Sequence, residues 1–228
     1  MAPSRLVLAL VAAGMALVPL AGLPQNESGL PPETLAQSAP LFAFQAQGNR
    51  PALVLTRSGD AQASDPRVFL ATRDGWRLVQ LPDELHNSSW VFAGRAMTGR
   101  EIWGITQGSP TTLLFVSSPN DGRDWRFRGS LQKVSPHAVV DLFSVNDEGR
   151  GSLILRLDDD PRPEAPRLGY YLYLTKNGAR NWSEAIFSQG KPLPPANLLT
   201  PPDRTFDGHQ SFDVAGWQRL LADLQPAG

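Results

Sequence analysis

Short apolar runs separated by polar turns fill the chain from residue 41 to residue 187. They predict β-strands at 41–46, 52–57, 67–72 and 76–81, again at 90–96, 101–106, 112–117 and 125–128, and again at 138–145, 152–157, 169–174 and 182–187. Each run is rich in Val, Ile, Leu, Phe, Tyr or Thr and is bounded by Gly, Pro, Asn, Asp or Ser, which is how strands are written in sequence. The segments fall into three sets of four. In every set the third segment is the most apolar: Val68-Phe69-Leu70-Ala71, Leu113-Leu114-Phe115-Val116 and Tyr170-Tyr171-Leu172-Tyr173-Leu174. Each of these is followed by a polar turn and a Trp, at Trp76, Trp125 and Trp182. The recurrence is close to the roughly 40–50-residue period of a four-stranded propeller blade. An insertion at 158–167 (DDDPRPEAPR) lengthens the third set.

Outside this region the pattern changes. Residues 214–224 place Val214, Trp217, Leu220, Leu221 and Leu224 on one face at helical spacing, behind Asp213 as N-cap, and predict a helix that packs on the sheets. Residues 23–40 carry Pro24, Pro31, Pro32 and Pro40 without either hydrophobic period and read as a linker. Ahead of them, Arg5 precedes the apolar run 6–20 and the small residues Ala21 and Gly22, the three-part pattern of a secretory signal peptide. The expected organisation is a signal peptide at 1–22, a linker at 23–40, a β-domain at 41–187, and at 188–228 an irregular tail whose helix packs on the same domain. The expected location is periplasmic or secreted, or membrane-anchored at the N-terminus if the apolar run is not cut.

Composition narrows the partner class. The 228 residues are 41% hydrophobic and 19% charged with a net charge of −1, so no basic field exists to hold nucleic acid or an anionic membrane. Twenty Gly and 21 Pro suit many short elements joined by turns. The chain has no Cys, which excludes disulfides, thiolate metal sites and a Cys nucleophile.

The turn at 118–125, Ser-Pro-Asn-Asp-Gly-Arg-Asp-Trp, resembles the Asp-box, or BNR repeat, Ser/Thr-x-Asp-x-Gly-x-Thr-Trp. Ser118, Gly122 and Trp125 match it; Asn120 stands at the Asp position and Asp124 at the Thr position. A second copy at 175–182 keeps Thr175 and Trp182, with Asn177 for Asp and Ala179 for Gly. Thr72-Arg73-Asp74-Gly75-Trp76 looks like a shortened form in the first set. In such a turn the Asp or Asn side chain accepts backbone N–H groups, Gly supplies an unusual backbone conformation and the Trp ring seals the hairpin. The resemblance implies a sialidase-like β-propeller architecture and says little about activity, since function lives in sites rather than folds. Three units are fewer than the four to eight blades of closed propellers. The remainder is a degenerate blade or an open arc, capped by the helix or completed by a second copy.

Candidate chemistry is sparse. A sialidase-like glycoside hydrolase needs clustered arginines, a Tyr–Glu pair and an acid/base Asp. Arg50, Arg57, Arg67, Arg95, Arg100 and Arg156 do not reproduce the arginine pattern of such enzymes, and Tyr170, Tyr171 and Tyr173 share one strand-like segment where packing is the simpler role. Asp158-Asp159-Asp160 lacks the alternate spacing of a calcium loop, and His86, His137 and His209 are isolated. Trp90 and Trp103 are aromatic in strand-like segments, suited to core packing or to stacking a ligand. No catalytic, metal or cofactor residue is assigned. The expectation is an all-β protein of three four-stranded antiparallel blade-like units with one C-terminal helix, acting as a non-enzymatic module that recognises a protein or glycan, with homodimerisation open. A glycoside hydrolase and an assembly factor or inhibitor of another exported protein are the alternatives.

Overall fold

The computed structural model describes residues 29–58, 65–97, 99–194, 199–208 and 212–225. The predicted signal peptide, the first part of the predicted linker and His209 lie outside them. Three antiparallel sheets follow one another in the chain. The first holds β1 (Ser38–Phe44), β2 (Leu53–Ser58), β3 (Pro66–Thr72) and β4 (Gly75–Val79); the second β5 (Ser89–Arg95), β6 (Ile102–Ser109), β7 (Thr112–Ser118) and β8 (Arg126–Gln132); the third β9 (Val139–Val145), β10 (Gly151–Leu157), β11 (Gly169–Thr175) and β12 (Ile186–Ser188). Each set of four is a meander, β13 (Arg204–Thr205) adds a fifth strand to the first sheet, and among the described residues the helices are α1 (Pro32–Ala36), α2 (Val214–Asp223) and a single 3-10 turn at Asp83–Leu85. Among the described residues no helix is long and apolar enough to cross a membrane.

The alternation along each strand explains the stacking. In β2, Leu53 and Leu55 point one way and Val54 the other; in β7, Leu113 and Phe115 oppose Leu114 and Val116. One apolar layer therefore joins the first sheet to the second, with Leu53, Leu55, Val68 and Leu70 meeting Trp90, Ile102, Val116 and Trp125. Another joins the second to the third, with Trp103, Ile105 and Phe115 meeting Phe143, Leu153, Leu155 and Tyr173. A third layer lies on the free side of the first sheet, where Val54, Phe69 and Trp76 meet Leu35 of α1 and Trp217, Leu220 and Leu221 of α2. Phe69 and Trp217 are edge to face at 5.9 Å. Asp213 caps α2 by accepting the Gly216 N–H at 2.7 Å, satisfying one of the orphan donors of its first turn.

Three segments differ from the sequence reading. Residues 29–40 are folded rather than a linker: Leu30 and Leu35 are buried, α1 occupies 32–36 and β1 starts at Ser38. Five residues are too few to display a helical period, and Pro32 is tolerated in the first turn, where the N–H has no partner anyway. Pro40 sits beside a register shift between Pro40 and Phe42, where a missing N–H costs no ladder bond. The tail after β12 is less irregular than expected. Thr200 and Arg95 exchange backbone bonds of 2.7 and 2.8 Å, and β13 (Arg204–Thr205) pairs with β1, so this segment runs beside the first strands of the first two sheets. The strand expected at 182–187 begins only at Ile186, leaving Trp182 in the loop.

Candidate interaction site

The two long turns share one hydrogen-bond scheme. In the first, Ser118 Oγ donates to Asn120 Oδ1 (3.1 Å) and accepts from the Gly122 N–H (2.8 Å), while Asn120 Oδ1 also accepts the Asp124 N–H (3.0 Å). In the second, Thr175 Oγ1 donates to Asn177 Oδ1 (3.2 Å), the Ala179 N–H donates to Thr175 Oγ1 (3.1 Å), and Asn177 Oδ1 accepts the Asn181 N–H (3.0 Å). Both turns need two successive left-handed residues, Asp121 and Gly122 in one, Gly178 and Ala179 in the other. Glycine removes the steric cost at only one of the two, which is why it changes place between the copies. Trp125 seals its turn by donating Nε1–H to the Gly122 carbonyl (3.1 Å) and packing against Trp90 at 5.6 Å. Trp182 lies against Phe115 at 4.8 Å.

The shortened turn is different. Thr72 and Gly75 close a tight hairpin, with Thr72 Oγ1 donating to the Gly75 carbonyl, and Asp74 stands exposed. Three residues fewer leave no backbone N–H groups for Asp74 to gather, so it does not take the part of Asn120 or Asn177. Trp76 nevertheless keeps the same direction as the other two: each Trp packs on the side of the preceding unit, and for Trp76 that side is filled by α1 and α2.

The residues considered for chemistry do not converge. Arg67 binds the Thr34 carbonyl and Ser38 Oγ, Arg50 the Gly99 carbonyl, Arg57 the Gly208 carbonyl, and Arg156 pairs with Asp158 at 3.2 Å. Arg100 pairs with buried Asp121 at 3.8 Å. Burial pushes the Arg95 guanidinium below the ordinary arginine value; Asp121 and Asp203 oppose that shift and Arg50 adds to it. Asp160 accepts from Arg162 (2.6 and 2.8 Å) and from Ser135 Oγ (2.6 Å); the Arg162 bonds hold its carboxyl well below the usual carboxylate range. Asp158 and Asp160 of the three-Asp run are thus each engaged by an arginine, and among the described residues no group of three His, Asp or Glu could hold a metal. His86 lies between Asp65 (3.5 Å) and Asp83 (3.9 Å) at an exposed pocket of roughly 270 Å³. Tyr171, Tyr173, Trp90 and Trp103 are all buried in the core.

What the sequence reading missed is the far face of the third sheet. Register places Leu142, Ile154, Leu172 and Ile186 in one row across all four strands. Leu174 and the hydrogen-bonded pair Ser144 and Ser152 form the next row, and Val139, Arg156 and Tyr170 the row on the other side. Ile186 is 51% and Val139 49% exposed. Lys191 reaches back to Asp141 at 2.7 Å on the rim, and a pocket of roughly 490 Å³ opens beside Leu174, between Glu148, Arg150 and Lys176. The signal was present in β10 and β11, where apolar residues occupy both alternating sets rather than one, as in a strand covered on both faces.

No family model matches the chain, and no curated protein matches it. Among solved structures, it is similar to an α-L-arabinanase of Penicillium chrysogenum determined with arabinobiose, at 14% identity and a TM-score of 0.37 over 65% of this chain. The chain spans about half the length of that protein, 49%.

Proposed function

We propose that the chain is a non-enzymatic binding module of an exported pathway, periplasmic or secreted, built on Asp-box turns and recognising a protein through the far face of its third sheet. The observation that carries this reading is the unequal treatment of the two ends of the stack. The outer face of the first sheet is sealed by α1 and α2, with Trp217 wholly buried, while the corresponding face of the third sheet leaves Val139 and Ile186 half exposed. Half-exposed aliphatic side chains on a sheet face rimmed by charged pairs suit a surface that meets a partner intermittently. The N-terminal apolar run at 6–20 supports export. The test is the full chain with a C-terminal affinity tag, wild type beside Leu172→Glu, in an extract of exported proteins. Stoichiometric retention of a protein by the wild type and its loss in the variant is the expected result. Equal retention by both overturns the assignment of this face.

A further inference from the structure

We propose that Asn177 and Gly178 form a latent modification site, an imide-forming pair that the folded turn holds back from reacting, so that opening of this turn sets the chemical lifetime of the chain. This reactivity is independent of the binding reading above.

The turn geometry creates the pair. Asn followed by Gly occurs once in the 228 residues. Both long turns need two successive left-handed residues, and each relieves only one of them with glycine. The first turn puts its glycine second, so Asn120 is followed by Asp121. The second turn puts it first, so Asn177 is followed by Gly178. A side chain on the following residue crowds attack by its backbone nitrogen on the Asn amide, and Gly178 has none. Asn is among the thermolabile residues.

The reaction balances with water as its only co-reactant. The Gly178 nitrogen gives up its proton and bonds to Asn177 Cγ. The Cγ–Nδ2 bond breaks, and the amide nitrogen takes that proton and leaves as ammonia. Water then opens the cyclic imide. Breaking the bond to Cγ gives aspartate at position 177 in a normal chain. Breaking the bond to the main-chain carbon routes the chain through Cγ and leaves the α-carboxylate free.

The fold withholds the nucleophile. The Gly178 N–H donates to the Gly149 carbonyl at 2.8 Å, and Gly178 is buried. A buried, bonded amide loses its proton only when the local structure opens, as in hydrogen exchange. While the bond holds, the nitrogen cannot turn its face toward Cγ into an attacking geometry. The turn carrying Gly149 is itself pinned: the Gly149 N–H donates to the Asn146 carbonyl (2.9 Å), and Asn146 Oδ1 accepts the N–H groups of Glu148 (3.1 Å) and Arg150 (2.9 Å). The electrophile, by contrast, is ready. Asn177 Oδ1 accepts from the Asn181 N–H (3.0 Å) and from Thr175 Oγ1 (3.2 Å), donors that stabilise the oxygen as charge builds on it. The lock is the Gly149 contact.

The two products differ in consequence. Aspartate at 177 keeps the acceptor oxygen that the turn uses. The isomeric linkage adds a main-chain carbon inside a turn whose bonds join 175 to 177, 175 to 179 and 177 to 181. That turn then no longer holds Trp182 against Phe115.

The experiment is timed incubation of the full chain at neutral pH, with mass spectrometry counting acid and isomeric acid at 177. Wild type, native and in urea, is compared with Gly149→Ala and Asn146→Ala under native conditions. A Cβ on Gly149 would lie 2.8 Å from the Gly178 nitrogen and displaces the bond, whereas Asn146→Ala loosens the same turn without added bulk. Native wild type should convert at least tenfold more slowly than the urea-unfolded chain. Gly149→Ala should convert at least tenfold faster than native wild type and Asn146→Ala at least threefold faster, with circular dichroism confirming that each is folded. Hydrogen exchange at the Gly178 amide of wild type should be slow, a readout that needs no variant. Native wild type that converts as fast as the unfolded chain overturns the inference. So does a Gly178 amide that exchanges freely, or a folded Gly149→Ala as protected as wild type.

Discussion

Changing one turn residue to the Asp of the Asp-box pattern that the turn resembles should destabilise this protein. Asn120 occupies the position where Asp-box sequences carry Asp, yet its amide group donates to Asp124 Oδ2 at 2.6 Å. In Asn120→Asp that donor becomes a second carboxylate oxygen about 3 Å from the first. Asp124 is exposed, so the repulsion is close to its value in water, about 1.4 kcal/mol. The lost bond to a charged acceptor adds about 1 kcal/mol. Against this, the new carboxylate accepts the Asp124 N–H and the Ser118 hydroxyl somewhat more strongly, returning about 0.5–1 kcal/mol. The net cost is about 1–2 kcal/mol, or about 2–8 °C in Tm for a chain of this size. The second turn is the control: the residue opposite Asn177 is Asn181, with no carboxylate, so Asn177→Asp should be neutral or stabilising. Urea denaturation of Asn120→Asp, Asp124→Thr and the double variant at pH 7 measures the coupling, expected at about 1 kcal/mol or more in favour of the double variant. Half-molar salt should shrink it. Additive effects, or equal behaviour of Asn120→Asp and Asn177→Asp, would refute the reasoning.

Trp125→Ala should cost about 3–5 kcal/mol in the same assay, since the ring is buried against Trp90 and bonded to Gly122; a nearly neutral result would show that the ring does not seal the turn. Gly129→Ala should be destabilising although alanine suits a strand better, because its Cβ would lie 2.6 Å from the Ala179 carbonyl oxygen and 2.9 Å from that of Arg180; wild-type stability in this variant would mean the second turn does not press on β8. Tyr173 is buried, and burial pushes its phenol up to about 12 from the usual 10, against a backbone interaction with Val134 that favours the charged form. The fold favours the neutral phenol, so this stability is whole below pH 10 and is lost, by about 2–3 kcal/mol, as pH rises from 10 to 12. Tyr173→Phe should flatten that loss, and an unchanged alkaline slope in denaturation would count against it.

The strands were legible because their pattern is strong and local. Val68-Phe69-Leu70-Ala71 and Leu113-Leu114-Phe115-Val116 are too short and too closely bounded by turn residues to be helices, and they are β3 and β7. What depends on a distant partner was not legible. β13 is two residues, Arg204 and Thr205, with no apolar signature; it is a strand because β1 offers a free edge beside it. Pro40 argued against a strand at 38–44 until the register shift beside it removed the objection. At the candidate site, the turn residues could be read by motif, but the row Leu142, Ile154, Leu172 and Ile186 could not. Its members come from four segments and share a face only through pairing register.

That dependence on register and on distant partners also fixes how the stack is terminated. Each unit carries a Trp that must be buried against something lying before it, and a far face that the next unit's Trp covers. A series built this way needs a cap at its first unit, where the demand is a large ring, Trp76, and an apolar sheet face; leaving both in water would forfeit about 2–3 kcal/mol for the ring alone. The cap combines α1, from residues 32–36, with α2, from residues 214–223, and β13 pairs with β1 of the same sheet. Segments nearly the whole chain apart therefore close on the first sheet, so the first unit is complete only when the third has been passed, and the stack behaves as one cooperative body rather than as three separable repeats. At the other end the demand is smaller: no Trp awaits burial, only a row of four aliphatic side chains, one of them already buried.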